Sequence, residues 1–215
     1  VAHLLALLSV LGALAALVVA EEDLREPVRR NPWRRTTPAL GWLAAAVDFL
    51  VNHPQHAVVC GRRRERFPQR SVYNLMCDIE WDTPIGEAKA CGGDALMRAD
   101  AFAAVSGYRP DLIAGEEPEL CVRLRAKGWK VWRLDEEMTL HDAAMTRFSQ
   151  WWKRTLRGGH AFAEGASLHG ATAQQHWRRE SRRAWFWGLG VPLVLMLSGV
   201  TVLLLLPALK RLERA

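Results

Sequence analysis

One run of side chains limits what this chain can become more than any other: residues 185–206, WFWGLGVPLVLMLSGVTVLLLL, carry no charge. As a helix at 1.5 Å per residue the run would reach about 33 Å, against a hydrocarbon core of about 30 Å. Trp185 and Trp187 stand at one edge, where aromatic rings favour the headgroup layer. Arginines lead in at positions 178, 179, 182 and 183. The sequence therefore predicts a transmembrane helix over 185–207, with a basic juxtamembrane helix over 171–184. Gly190 and Pro192 predict a kink in it.

A second block, residues 1–20, is uncharged apart from a titratable His3. It reads either as a further transmembrane helix or as a signal peptide, although a basic n-region is missing. Arg25, Arg29, Arg30, Arg34 and Arg35 follow it. By the positive-inside rule the domain between the blocks then faces the cytoplasm, at the inner (plasma) membrane.

The 215 residues leave room for one domain plus these attachments. The net charge of +6 lies largely beside the apolar blocks, where it can meet anionic lipid. Arginines near a site can also hold a phosphate-bearing ligand. No recognition motif and no basic stripe interleaved with aromatics stands elsewhere, so nucleic acid is not an expected partner. The four cysteines form no CxxC pair, which predicts reduced, buried thiols and no zinc finger.

Residues 21–40 read as a linker and 41–170 as the folded part. Within it the pattern predicts a helix over 41–51, a strand over 57–60 and a basic loop over 61–70. A helix over 71–81 would carry Val72, Leu75, Met76 and Ile79 on one face. Asp100 would cap a helix ending near Gly107, and short strands would follow at 130–134 and 138–140. A last helix over 146–166 would be interrupted at Gly158 and Gly159. Alternating strands and helices argue for an α/β fold, but with only about three short strands.

Four segments carry chemistry. In GEEPELCVRLRAKG, residues 115–128, Pro118 suits the first helical position, making Glu117 the N-cap and leaving Glu116 in the loop. Both acids would sit at the positive end of a helix dipole, which favours a carboxylate fit to act as a general base. Glu119 and Arg123 are spaced as a surface i,i+4 pair. In CGGDALMR, Gly92 and Gly93 let backbone approach a ligand, with Asp94 beside them. In TLHD, His141 ends a strand next to an acid and could contact a metal or a phosphate. In QWWKRTLRGG, Gln150, Arg154 and Arg157 fall on one helix face, flanked by Trp151 and Trp152. Each segment also has a plain reading, as turn, cap or snorkelling surface.

Together, in this order and spacing, CGGD, GEEPELCVR, LHD and QWWKR resemble the C-terminal half of a membrane-associated family 2 glycosyltransferase, over about residues 58–165. The resemblance implies a partial GT-A-like, incomplete Rossmann-like α/β domain beside the apolar helices. It implies inverting transfer from a nucleotide-sugar donor to a lipid or polysaccharide acceptor, with Mg²⁺ or Mn²⁺ as cofactor. Glu117 corresponds to the general base and Glu116 to its support. The family often has Asp at the second position, so the choice between the two acids stays open. Gly93, Asp94, Gln150 and Trp151 correspond to acceptor-binding residues, Arg154 and Arg157 to diphosphate contacts, and His141 to a metal contact.

The family's nucleotide-binding first half has no counterpart here. Leu40, Gly41, Trp42 and Leu43 match its PGWL-like helix, but the preceding RRNPWRRTTPA contains no acid. Two expectations follow: a truncated or frameshifted chain with impaired activity alone, or a genuine short protein. A non-catalytic, membrane-anchored remnant or partner-binding subunit is the alternative function.

Overall fold

The computed structural model describes residues 36–39 and 41–199. Strand β1 is Thr36–Pro38, followed by helix α1, Trp42–Asn52, which buries Trp42, Ala46 and Leu50. Strand β2 runs His56–Glu65, and Ala57, Val58, Val59 and Cys60 are fully buried in it. Helix α2 spans Val72–Trp81, and its N-cap Ser71 accepts the Asn74 N–H. Short strands β3, Gly86–Ala88, and β4, Leu96–Met97, precede helix α3, Ala99–Ala104. Helix α4 is Glu116–Ala126, strand β5 Lys130–His141, helix α5 Phe148–His169 and helix α6 Arg178–Trp185.

Strand β5 organises the sheet. One edge pairs with β2 in parallel; the other pairs antiparallel with β3 near its start and with β1 near its end. β4 closes the far side of β2, also antiparallel. The core lies where α1, α3 and α4 cover this sheet, around Val58, Leu120, Leu124, Val131 and Met138.

The expected fold needs correction on two counts. The sheet is mixed, with only the β2–β5 pairing parallel, and not a partial Rossmann-like layer. Half of the basic loop expected at 61–70, residues 61–65, belongs to β2, and the two strands expected at 130–134 and 138–140 are one. Long arginine stems cover the sheet while their heads find acids: Arg63 meets Asp94 and Arg64 meets Glu137. β1 also lies inside the stretch expected to be linker.

The second correction concerns the membrane. Among the described residues no helix is long and apolar enough to cross one. Residues 185–199 continue helically from α6 through a π turn, Phe186–Gly190. The preceding turns bear Arg178, Arg179, Arg182 and Arg183, so the described apolar part reaches about 22 Å at 1.5 Å per residue. Residues 200–207 of the expected span, the block over 1–20 and the linker over 21–35 lie outside the described residues.

Two helices also differ from expectation. α5 runs without interruption through Gly158 and Gly159. α2 turns Val72, Leu75 and Ile79 outward and buries Asn74 and Cys77 instead. A polar network decides this: the Asn74 amide donates to Glu65 Oε1 (3.0 Å) and its oxygen accepts from the Met145 N–H (3.0 Å). Glu65 Oε2 takes the Ala143 N–H (2.8 Å). Satisfying buried polar groups outweighs hiding three aliphatic side chains.

Candidate functional site

The acidic pair starts α4, but not in the expected register. Gly115 is the N-cap, at φ 85°, so Glu116 and Glu117 are the first two helical residues and Pro118 the third. Glu117 is 5% exposed. Its Oε1 accepts the Cys91 N–H (2.9 Å) and the Cys121 thiol (2.9 Å), and its Oε2 accepts the Gly92 N–H (2.8 Å). Burial and then this carboxylate push the Cys121 thiol well above its usual range. Glu117 thus clamps the glycine loop onto α4. Glu116 is half-buried, and its carboxylate has no hydrogen-bond partner among the described residues.

Asp94, after the glycine pair, is held by Arg63 Nε (2.8 Å) and Nη2 (2.7 Å) and by the Thr139 hydroxyl (2.9 Å), all on Oδ2. Gly93 sits at φ 118°, and a β-carbon there would come within 3.1 Å of Arg63 Nη2. The Arg63 guanidinium lies over the Trp81 ring at 5.3 Å, and Trp81 meets His141 edge-on at 5.4 Å.

The QWWKR segment divides. Gln150 caps α5, accepting the Thr146 (2.9 Å) and Arg147 (3.0 Å) N–H groups. Trp151 is buried against Cys77 and Met145 and stacks on Tyr73. Arg154 forms a two-pronged pair with Glu80, both bonds at 2.8 Å. Arg157 keeps a buried Nε without a hydrogen-bond partner among the described residues, and it does not line the cleft that gathers the other segments.

That cleft, of about 310 Å³, gathers three of the segments: Cys91 and Gly92 from the glycine loop, Pro118 from α4 and Arg154 from α5. Arg63, Trp81 and Arg133 also line it, as does the carboxylate of Glu80 that holds Arg154. Arg133 is the residue that sequence reasoning missed. It is 6% exposed and donates to the carbonyls of Gly61 (2.8 Å) and Cys91 (3.5 Å). Its Nε has no partner, and no carboxylate pairs with it among the described residues. A buried, uncompensated guanidinium is costly unless an anion completes it. The sequence signal is an arginine amid the apolar residues of KVWRL.

His141 does not bring a metal site with it. Among the described residues no group of three His, Cys, Asp or Glu side chains could hold an ion. Its neighbour Asp142 is engaged with the Ala144 N–H (2.8 Å) and with Arg70 (3.5 Å). Among the described residues the donor set that the implied cation needs is not assembled.

A scan of protein-family models finds none that matches this chain, and comparison with curated proteins finds no matching relative.

Proposed function

We propose that this chain carries part of a glycosyl-transfer site, in which the arginine cleft takes the diphosphate of a nucleotide-sugar and the acidic pair serves a lipid or glycan acceptor. The observation that carries the reading is Arg133, a buried cation without a counter-ion among the described residues, at the wall of a cleft shared by CGG, GEEPEL and QWWKR. Inverting transfer breaks the bond between the sugar and the diphosphate while an acceptor hydroxyl attacks the anomeric carbon. Negative charge grows on the departing diphosphate, and fixed cations lower that barrier. Arg133, Arg63 and Arg154 are the cations available, of which Arg63 and Arg154 already hold carboxylates.

The hydroxyl proton needs a base. Glu117 spends both oxygens on the glycine loop, so its part is to position that loop. Glu116 is the acid of the pair left with an unengaged carboxylate. General-base assistance is worth roughly 10²–10⁴ in rate.

The deciding experiment is calorimetry of nucleoside diphosphates and nucleotide-sugars on the full chain, with Arg133→Met as control. Binding that falls tenfold or more in Arg133→Met is expected, from the worth of a charge-assisted hydrogen bond, about 1.5–3 kcal/mol. No binding in the unaltered chain would sink the reading. The engagement of Glu117, Gln150 and Trp151 in structural contacts favours a second reading, a non-catalytic binding unit. It predicts diphosphate binding without transfer to any acceptor.

A further inference from the structure

A second cleft, of about 1020 Å³, shares Ala90 and Pro118 with the first. Its wall is cationic: Lys89 approaches from the segment before the glycine loop, and Arg178, Arg179, Arg182 and Arg183 from α6. None of these five makes an ion pair or a side-chain hydrogen bond among the described residues. Arg178 and Arg182, like Arg179 and Arg183, are spaced i,i+4 and repel each other. Glu180 is the one carboxylate on the wall.

The loop entering α6 is built and strained. Gln175 and Trp177 are non-glycine residues in the left-handed region, at φ 45° and 51°. His176 between them is 8% exposed, lines the cleft and has a buried Nε2 without a partner. Burial, and then Arg125 and His169, lower its pKa to about 4, so it stands as a neutral ring. The α6 N-terminus, which no side chain caps, opens at the same place.

Beyond α6 the surface changes character in a fixed order. Trp185, Phe186 and Trp187 are exposed at the junction, and Val194, Leu195, Met196 and Leu197 are exposed past it, each by more than half. A cationic cleft, then aromatic rings, then aliphatic side chains matches the order of phosphate, interface and acyl chain in an anionic lipid. A soluble nucleotide or sugar phosphate would leave the apolar part unused.

We propose that this cleft binds the phosphate of an anionic lipid, with α6 arginines on the phosphate oxygens and the acyl chains along residues 191–197. The site needs no spanning helix and stands whether or not the chain transfers sugars.

The test is flotation of the full chain, purified in neutral detergent, with phosphatidylcholine vesicles with and without phosphatidic acid. Retention should need phosphatidic acid and should fall about fivefold for each arginine removed in Arg179→Gln and Arg182→Gln. Both side chains are exposed and unpaired, so the melting temperature should not move. Replacing Leu195 and Met196 by serine should weaken retention independently. Equal retention on phosphatidylcholine alone would overturn the proposal. So would an equal loss in Lys153→Gln, which lies off the cleft, or calorimetric binding of inorganic pyrophosphate as tight as that of the lipid.

Discussion

Glu117 shows how two adjacent acids of one type divide their work. Its carboxylate receives two backbone N–H groups and a thiol, whereas Glu116 receives none among the described residues. Glu117→Gln should therefore lower stability, because the new amide N–H₂ must face a backbone donor. The expected cost is about 1–3 kcal/mol, read from urea unfolding. Glu116→Gln should leave stability unchanged and lower any sugar transfer at least about a hundredfold, read in a turnover assay. Unchanged turnover in that variant would remove Glu116 as the base. Arg133→Met makes the opposite combination: weaker diphosphate binding with equal or higher stability. Removing the guanidinium removes its desolvation cost, which offsets the loss of its hydrogen bonds to the Gly61 and Cys91 carbonyls. The spacing EE pointed to both acids, but which one is consumed depends on where the Cys91–Gly92 loop lands, 25 residues away in sequence.

Among the elements, α4 is tied to α5 and α6 through Trp177. The indole lies against Gly115, the N-cap of α4, and Gly165 within α5, and meets Phe162 edge-on at 5.1 Å. A β-carbon at Gly165 would stand 2.5 Å from the Trp177 ring. Gly165→Ala should cost about 1–3 kcal/mol as an overpacked contact. The loss should be smaller in a Trp177→Ala background, which a double-mutant cycle measures. Additive losses would mean that the two do not meet. Glu119 adds a second tie. It was expected as a surface partner of Arg123, yet it is 1% exposed and bonds both Arg123 (2.7 Å) and His169 of α5 (2.9 Å). The extent of α2 was legible, because the helical spacing over 71–81 is local. The buried face of α2 was not, since Glu65 and Met145 choose it from distant parts of the chain.

For the molecule as a whole, buried histidines set an acid limit on stability. Burial holds His56 below the ordinary value and His176 at about 4. Between about pH 4 and 6.5 the unfolded chain binds protons that the folded chain refuses, so stability rises with pH across that window. The melting temperature should fall as pH drops from 7 to 4, and His176→Gln should flatten part of the slope. The His176 share is on the order of 1–3 kcal/mol, at about 1.4 kcal/mol per pKa unit less solvent screening. Burial pushes Glu119 up, but Arg123 and His169 hold it below the ordinary value, so its stabilisation is lost at still lower pH. The sequence alone determined the alternation of helix and strand and the placing of arginines beside glycines and acids. Those follow from short-range periodicity and from side-chain type, whereas the caps of α3 and α4 fell on Arg98 and Gly115 and not on the expected acids. Only the tertiary structure decided that β2 and β5 pair in parallel, that Glu117 is a clamp and that Arg133 stands unpaired in a cleft. It also decided that the described end of the chain joins a basic cleft to an exposed apolar helix. Each of these depends on which distant groups meet and on whether a buried polar atom finds a partner, and neither is written in local spacing.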